Sequence, residues 1–506
     1  MVRCRARPDA RQIHASLPSH GVWDAFPQSA SEKLMSLAIH WFRRDLRRSD
    51  NSALGAAAKT HSQVLPVYIL SMWQKTHAWT GPNRQQFLCD CLRALDTSLQ
   101  VAGSRLVIRQ GDAIEQLEAL VRETGATAIY ANRDPDPFGR LVEERLSILI
   151  KRLGIQLHLF KDCALHEREE VLTGSQTPFK VFTPYSRAWA KLEKLAPQPG
   201  PSRLTSPQAP SLPLPSLDTW GLQANGIQLP QADEATARKR LHRFLERDVL
   251  IYADRRDLPA EDGTSRISQD LRFGLISIRQ VYADVQARME GTTLDQRRSL
   301  QIFINELCWR EFYFQVLWHW PEVLDHEFAE PFRGLPWRQD PEAFERWTLG
   351  QTGFPIVDAG MRQLRQTGFM HNRVRMIVAM FLTKDLHLDW RQGEQWFMQQ
   401  LLDGEIASNN GGWQWSAGTG TDAAPYFRIQ NPWTQTDRYD PDALFIKRWI
   451  PELSGIPAAR LKTPPAPGLK LVPSYPLPML DHSRERDIAL SAYKEYLGRS
   501  GTKTKR

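Results

Sequence analysis

Short apolar runs alternate with helical patterns over the first third of the chain. The runs cover residues 37–42, 64–70, 106–108, 128–131 and 155–160, and most of the stretches between them have the length of a helix. Such alternation predicts β-α-β units, in which parallel strands form a sheet that helices cover. The sequence therefore predicts an α/β domain with a parallel, Rossmann-like sheet over residues 36–166.

The turn after the first apolar run carries no glycine-rich phosphate loop. It reads Arg43-Arg44-Asp45-Leu46-Arg47, whereas an ordinary dinucleotide site has G-x-G-x-x-G between the first strand and its helix. The sequence therefore argues against an ordinary NAD site.

The chain changes character twice after the predicted sheet. Residues 197–231 are rich in Pro, Ser and Leu without periodicity, which is typical of a connector. From Ala235 onward helical patterns dominate. We expect an interdomain linker over residues 167–234 and an all-α domain over residues 235–496. Residues 1–35 are expected to form a disordered extension, and residues 497–506 a frayed basic tail.

The composition is that of a globular protein. Of the 506 residues, 42% are hydrophobic and 24% charged, and the mean hydropathy is −0.45. No apolar run has the length needed to cross a bilayer, so no membrane partner is expected. The formal net charge of +8 favours a polyanionic partner such as nucleic acid, and the alternative is a solvated basic surface.

The cysteines indicate a reducing compartment. They are few, odd in number and scattered, which argues against a disulfide framework: Cys4, Cys89, Cys91, Cys163 and Cys308. The first 34 residues contain no apolar core of a secretory signal, so a cytoplasmic location is expected. No other Cys or His stands near Cys89-x-Cys91, so no metal site is predicted.

Tryptophans are concentrated in the helical half, where 11 of the 17 lie between Trp309 and Trp449. Core packing is the simpler explanation for those that stand singly at helical spacing: Trp318, Trp320, Trp347, Trp396 and Trp449. The alternative is a site that stacks planar groups or conducts electrons. It is motivated by residues 409–415, NNGGWQW, where two glycines leave room for a flat ligand beside two indoles.

Two further segments bring polar groups together. Helical spacing places Glu306, Trp309, Arg310 and Tyr313 on one face, which predicts a carboxylate, an indole and a guanidinium in one pocket. The alternative is a surface ion pair between Glu306 and Arg310. Residues 263–268, GTSRIS, gather hydroxyls at an expected helix start, which suits phosphate oxygens or serves as an ordinary N-cap.

These segments together resemble the photolyase and cryptochrome family, and within it the bacterial, class I cyclobutane pyrimidine dimer photolyases. The resemblance runs from about residue 37 to about residue 493. Its most specific segment is residues 409–432, NNGGWQWSAGTGTDAAPYFRIQNP, supported by GFPIVDA at 353–359 and HNRVRM at 371–376. It implies an α/β domain followed by an all-α domain that binds FAD.

The resemblance also implies which residues hold FAD. Phosphate and ribose contacts would come from Tyr252, Thr264, Ser265, Arg266, Ile267 and Ser268, and contacts to the rings from Phe303, Arg310, Phe369, Asn372, Arg375, Asp403, Glu405 and Asn409. A pair between Arg375 and Asp403 would supply a fixed positive charge to a reduced, anionic flavin. Asn409 would face flavin N5 with a neutral amide, and the alternative is a structural Asn in a turn.

The implied substrate is UV-damaged DNA with a pyrimidine dimer flipped out of the helix. Glu306 would hydrogen-bond the dimer inside a pocket formed by Trp309, Trp415, Asn372 and Met376, while Arg256, Arg373 and Arg428 would contact phosphates. Trp413, Trp390 and Trp337 would conduct electrons to an oxidised flavin. Six-four photolyases carry a His pair where this chain has Asn372 and Met376, which disfavours six-four repair.

The chain departs from the family pattern at three positions. Phe303 and Phe369 stand where Trp is frequent, and Glu405 stands where close bacterial relatives have Asp. A phenylalanine keeps an apolar ring but loses the indole N–H, so we expect altered affinity or rates rather than a different reaction.

The family's N-terminal domain holds a light-harvesting antenna. By resemblance, Arg44, Asp134 and Asp136 would bind it, and 8-hydroxydeazaflavin is favoured over methenyltetrahydrofolate because Phe138-Gly139 replaces the Asn-Glu pair of folate binders. The alternative for these aspartates is an acidic, Pro-rich turn cap.

The sequence thus predicts a monomeric lyase that repairs cyclobutane pyrimidine dimers with blue light, by electron transfer from excited reduced FAD. A cryptochrome-like photoreceptor with the same FAD site is one alternative. A flavin-free nucleic-acid-binding module whose indoles stack bases is another.

Overall fold

The computed structural model describes residues 34–71 and 77–503, with side chains described from residue 36 to residue 498. Its N-terminal part holds five parallel strands: β1 (Leu34–Phe42), β2 (His61–Leu70), β3 (Val107–Gln110), β4 (Ala128–Asn132) and β5 (Gln156–Phe160). Their order is β3-β2-β1-β4-β5, with β1 between β2 and β4. The expected parallel α/β architecture is confirmed.

Helices connect the strands as crossovers: α1 (Ser52–Thr60), α2 (Pro82–Val101), α3 (Ala113–Thr124) and α4 (Pro137–Leu153). Local sequence explains their ends, since the Asn51, Asp112 and Asp136 side chains accept hydrogen bonds at the first turns of α1, α3 and α4. Gly125 and Gly154 then end α3 and α4 in the left-handed conformation.

The segment expected to be a linker is ordered and lies against both halves of the molecule. It contains α5 (Phe182–Lys191), which packs on a helix of the C-terminal half. The stretch after α5 follows the sheet: Val64 N donates to Thr205 O at 2.8 Å and Leu212 N to Ile108 O at 3.0 Å.

The C-terminal half is built mainly from helices, as expected. They are α6 (Glu234–Glu246), α7 (Tyr252–Arg255), α8 (Ser268–Phe273), α9 (Ile278–Arg288), α10 (Leu294–His319), α11 (Pro341–Leu349), α12 (Pro355–Thr367), α13 (Asn372–Met380), α14 (Trp390–Gln400), α15 (Ile406–Ala417), α16 (Pro432–Tyr439), α17 (Leu444–Trp449), α18 (Ala458–Leu461) and α19 (His482–Lys503). A π-helical turn, Phe381–Asp385, follows α13. Helix α10 begins with a capping box between Thr293 and Gln296 and packs against α15.

A buried charge network joins the two halves. Arg279 of α9 donates to Asp162 at 2.8 Å and to Asp50 at 3.0 Å, and Arg47 donates to the same Asp162 at 2.7 Å. These four side chains are 5% exposed or less. Pairing inside the protein removes the cost of unpaired buried charge, so the network holds the sheet to the helices.

The chain ends expected to be disordered fall largely outside this description. Residues 1–33 of the expected extension and residues 504–506 of the expected tail lie outside the described residues. The backbone of α19 continues to Lys503, within the expected tail. Among the described residues no helix is long and apolar enough to span a membrane, and no group of His, Cys, Asp and Glu is arranged to hold a metal ion.

Candidate functional site: a cavity in the helical domain

A cavity of about 530 Å³ opens among α8, α10, α13 and α15. Every residue that the sequence assigned to FAD lines it: Tyr252, Thr264, Ser265, Arg266, Ile267, Ser268, Phe303, Arg310, Phe369, Asn372, Arg375, Asp403, Glu405 and Asn409. Such volume and aromatic lining are typical of a site for a large planar ligand.

The hydroxyl-rich segment lies at the start of α8, as predicted, but it is not an ordinary N-cap. Ile267 occupies the N-cap position, and no side chain accepts a hydrogen bond there. Arg266 has a φ of 55°, in the left-handed region. The guanidinium of Arg266 lies 3.7 Å from the ring centroid of Phe369, so the arginine covers one face of that ring.

The polar face of α10 lines the cavity, as expected, but Glu306 and Arg310 pair with residues of other segments rather than with each other. Glu306 accepts a hydrogen bond from Arg256 Nη1 at 2.7 Å, so the ion pair with Arg310 considered from the sequence is wrong. Arg310 instead donates to Cys163 O at 2.6 Å. Burial raises the pKa of Glu306 above its ordinary value, although Arg256 opposes the rise.

The predicted pair between Arg375 and Asp403 is present in the cavity wall. Arg375 Nη2 lies 2.9 Å from Asp403 Oδ2, and Arg375 Nε donates to Met370 O at 2.8 Å. Both hydrogen bonds hold the guanidinium in one orientation, which gives the cavity a cation of fixed position.

Asn409 and its neighbours lie on α15, where the glycines differ in role. A Cβ on Gly411 would meet the Tyr313 ring at 2.1 Å, so this glycine lets α15 pack against α10. Gly412 has open space and lines the cavity, which agrees with the expected approach of a flat ligand. Asn409 Nδ2 donates to Glu394 O at 3.0 Å, and Asn410 Nδ2 donates to Glu394 Oε1 at 2.9 Å.

The residues assigned to the DNA substrate separate into two groups. Those that line the cavity are Glu306, Trp309, Asn372, Met376, Trp415, Arg256 and Arg373, whereas Arg428 is exposed and does not line it. Trp309 stacks on Phe182 of α5, with ring centroids 3.6 Å apart. Arg373 of the cavity wall pairs at 2.9 Å with Asp257, which lies outside the lining.

The three tryptophans of the expected electron path lie in or against one hydrophobic core. Trp413 lines the cavity and is buried, Trp390 is 0% exposed, and Trp337 is half-buried. Gly393 of α14 lets the Trp413 ring approach, because a Cβ there would lie 2.1 Å from that ring. Trp347, which the sequence assigned to core packing, is fully buried, with its ring centroid 6.1 Å from that of Trp413.

Comparison with known proteins identifies the family. The chain is 40% identical over 479 residues to the deoxyribodipyrimidine photo-lyase of Halobacterium salinarum, a match that covers 91% of this chain and 100% of that protein. The family model of DNA photolyase matches residues 38–202, and that of the FAD binding domain of DNA photolyase matches residues 303–495. This chain belongs to the DNA photolyase family.

Solved photolyase structures have the same fold. A bacterial class III photolyase from Agrobacterium tumefaciens superposes with a TM-score of 0.85 at 37% identity, covering 93% of this chain and 99% of that one. An archaeal photolyase from Sulfolobus tokodaii, solved with two FAD molecules, superposes with a TM-score of 0.78 at 32% identity, covering 91% of this chain and 100% of that one.

The cavity of this photolyase fits FAD in its chemistry. Glu405 Oε1 and His371 Nε2 are buried and have no hydrogen-bond partner among the described residues, and both residues line the cavity. Buried polar atoms of this kind need a partner, and a ligand with ribose, phosphate and ring nitrogens supplies several. FAD would be held by the hydroxyls before α8, by the Arg375–Asp403 pair and by the backbone at Gly412.

A second cavity of about 700 Å³ lies between the α/β domain and the helical half of the photolyase, and its lining includes the residues expected for the antenna, Arg44, Asp134 and Asp136. Although burial opposes it, Arg44 lowers the pKa of Asp134, whereas burial and the Asp134 charge raise the pKa of Asp136. Arg44 Nη1 therefore lies closer to Asp134, at 3.2 Å, than to Asp136, at 3.8 Å, and the pKa values of the two aspartates shift in opposite directions.

The two cavities share a wall that the sequence did not predict. Arg44 from the second cavity pairs with Glu405 from the first, and Arg272 lines both. Burial, followed by the Arg44 and Arg84 charges, lowers the pKa of Arg272 to about 9. One signal could have found Arg272, since it stands four residues after Ser268 on the same face of α8. Nothing local predicted the Phe182 stack on Trp309.

Proposed function

We propose that this photolyase splits cyclobutane pyrimidine dimers in DNA with blue light. One observation carries the proposal: Glu306, Trp309 and Trp415 line the same cavity as Asn409 and the Arg375–Asp403 pair. When bound and reduced, FAD supplies a light-driven one-electron reductant, and the electron returns after the dimer has split, so no net redox change remains. The residues around it bind and orient the damaged bases.

Each cavity residue has a role in this proposal. The indoles of Trp309 and Trp415 receive the flipped dimer by stacking, and the Phe182 ring holds the Trp309 indole in place. In its protonated form Glu306 donates a hydrogen bond to a carbonyl oxygen of the dimer, where negative charge develops after electron transfer. Asn372 and Met376 complete the walls.

DNA binding is proposed to depend on cations near the cavity. Arg256 and Arg373 contact phosphates on either side of the flipped dimer, and the net charge of +8 attracts DNA at longer range. The energetic cost of flipping is smaller for a dimer than for an intact pair, because a dimer stacks and pairs poorly, and this difference favours damaged DNA.

The second cavity is proposed to hold an antenna, with 8-hydroxydeazaflavin favoured. Trp41 lines it together with Arg84, whose guanidinium donates to the backbone oxygens of Met398 and Trp79 and pairs with no acid among the described residues, which suits an anionic planar ring system. Absorbance and mass spectra of the chromophores released from the purified protein test this assignment. Release of methenyltetrahydrofolate or of a second FAD would contradict it.

Repair of a defined substrate is the decisive experiment. The FAD-loaded, reduced protein is incubated with an oligonucleotide that carries one cyclobutane thymine dimer, in light and in darkness. We expect the dimer to be lost only in the light. The repair yield should be lower in a Glu306→Gln variant than in the matched Glu330→Gln variant, whose substituted side chain is exposed. Light-independent repair would contradict the proposal, and absence of repair with FAD bound would favour a cryptochrome-like photoreceptor.

Trp413, Trp390 and Trp337 are proposed to carry electrons from the surface to an oxidised flavin. Trp390→Phe removes the middle indole, so we expect photoreduction of oxidised FAD to slow by about tenfold or more, because electron transfer over a longer gap is slower. Trp347→Phe is the matched control, since this buried indole lies beside Trp413 and is assigned to core packing rather than to the path. Equal slowing in both variants would contradict the assignment of the path.

A further inference from the structure

Glu327 contacts the middle indole of the proposed electron path. Trp390 Nε1 donates to Glu327 Oε1 at 3.2 Å. The carboxylate is 2% exposed and the indole 0%, so this hydrogen bond is shielded from water. A buried carboxylate in contact with an indole N–H is a proton acceptor placed at an oxidisable group.

The outer indoles of the path differ from Trp390. Within the described part of the chain, Nε1 of Trp413 and Nε1 of Trp337 are buried and have no hydrogen-bond partner. Among these three indoles, the described residues therefore provide a hydrogen-bond acceptor only for the N–H of the middle one, Trp390. A group that stabilises one member of a path decides where the positive charge rests.

The positive charge of Arg391 lies close to both Trp390 and Glu327. Its guanidinium carbon lies 4.5 Å from the centroid of the Trp390 ring, and its Nη1 lies 3.1 Å from Glu327 Oε1. A cation above the ring favours the neutral indole and opposes the positive charge that the indole gains when it loses an electron. The charge of Glu327 offsets that of Arg391.

Arg391 has further partners that keep it paired when Glu327 is neutral. Its Nη1 lies 3.0 Å from Asp389 Oδ1, and its Nε donates to Asp325 O at 3.0 Å. Protonation of Glu327 therefore leaves no unpaired cation behind, which lowers the cost of moving a proton onto this carboxylate.

We propose that Glu327 accepts the Nε1 proton of Trp390 during photoreduction, an inference that rests on the proposed function. Trp390 gives one electron to the oxidised indole of Trp413, whose own oxidant is a light-excited oxidised flavin. The N–H bond of Trp390 breaks and an O–H bond forms on Glu327, which leaves a neutral indolyl radical and a carboxylic acid. When Trp337 supplies an electron to Trp390, the proton returns from Glu327 to Nε1. A soluble thiol finally gives one electron to oxidised Trp337, loses its proton to water and becomes a thiyl radical.

Transient absorption of the FAD-loaded protein tests the proposal, because an indole radical cation and a neutral indolyl radical have different spectra. In the unmodified protein we expect the neutral radical of Trp390, formed more slowly in D₂O. Glu327→Gln keeps the shape of the side chain and cannot accept the proton. We expect the radical cation to persist in this variant and the yield of lasting photoreduction to fall about tenfold, the direction that loss of a negative charge beside the indole dictates.

Glu330→Gln is the matched control. Glu330 is exposed and stands three positions after Glu327, so its substitution removes the same charge and should leave the spectrum and the yield unchanged. If Glu327→Gln does not bind FAD, the Arg391→Gln variant tests the proposal instead. It removes the cation that opposes oxidation of Trp390, so the yield of the neutral Trp390 radical should rise. Spectra and yields like those of the unmodified protein in either decisive variant would overturn the proposal. The proposed function itself is judged separately, by light-dependent repair in the unmodified protein.

Discussion

Arg256 donates a hydrogen bond to Glu306 across 50 positions of sequence, with 2.7 Å between Nη1 and Oε1. The pair joins the segment after α7 to the polar face of α10, inside the cavity wall. It places a cation against the carboxyl group that the proposed function brings to the dimer, and removal of that cation has a measurable consequence.

Arg256→Ala should raise the pKa of Glu306 further. Burial already raises this pKa, and the variant keeps much of the burial while it loses the cation that lowers the pKa. The carboxyl stretch of Glu306 in infrared spectra, titrated from pH 4 to pH 9 and assigned with Glu306→Gln, gives the midpoint. Arg255→Ala is the matched control, because Arg255 pairs with Glu261 instead. A midpoint that does not move in Arg256→Ala would contradict the prediction.

Glu394 should make stability depend on pH. Burial raises its pKa from the ordinary value of 4.5 to about 8, although the hydrogen bond from Asn410 opposes the rise. Because the folded state then holds a proton that the unfolded chain has released, the free energy of unfolding falls as pH rises across this window, by about 1.4 kcal/mol per pH unit.

The dependence can be measured by thermal unfolding from pH 5 to pH 9. The melting temperature of the unmodified protein should fall with rising pH relative to that of Glu394→Gln, whose side chain does not titrate. Glu322→Gln, at an exposed position, should follow the unmodified protein. Parallel curves for the unmodified protein and Glu394→Gln would show that Glu394 does not titrate in this range.

Arg279→Ala should strongly destabilise the contact between the two halves. The variant leaves Asp50 and Asp162 buried with one arginine fewer, and breaking a buried charge network in this way costs about 3–5 kcal/mol. Arg243→Ala, which removes an exposed pair with Asp262, should cost less than about 1 kcal/mol. Urea unfolding measures both values, and similar losses would refute the structural role of the network.

Arg373→Ala should weaken binding to damaged and undamaged DNA alike, because phosphate contacts carry no sequence information. The slope of log affinity against log salt should decrease in magnitude by about 1 for the lost contact. Arg122→Ala removes an equal charge from α3 of the α/β domain, at a residue that does not line the cavity, and should leave the slope unchanged. An unchanged slope in Arg373→Ala would place the DNA elsewhere.

Much of the architecture could be predicted from local pattern. The five apolar runs became the five strands, and the helical periodicity after Ala235 became the helical half. The pair between Arg375 and Asp403 came from resemblance to a family, and the structure contains it. The Pro-rich segment was harder, since its order comes from hydrogen bonds to the sheet rather than from any periodicity of its own.

The sequence by itself determined which side chains share a helix face, because the spacing of Glu306, Trp309 and Arg310 depends on the backbone of α10 alone. Tertiary structure decided their partners: Arg256 for Glu306, Phe182 for Trp309, and Arg44 for Glu405 across 361 positions. The physical reason is the separation along the chain between interacting residues. Periodicity reports local backbone geometry, whereas ion pairs and stacked rings between distant segments exist only after the two halves of the chain have packed together.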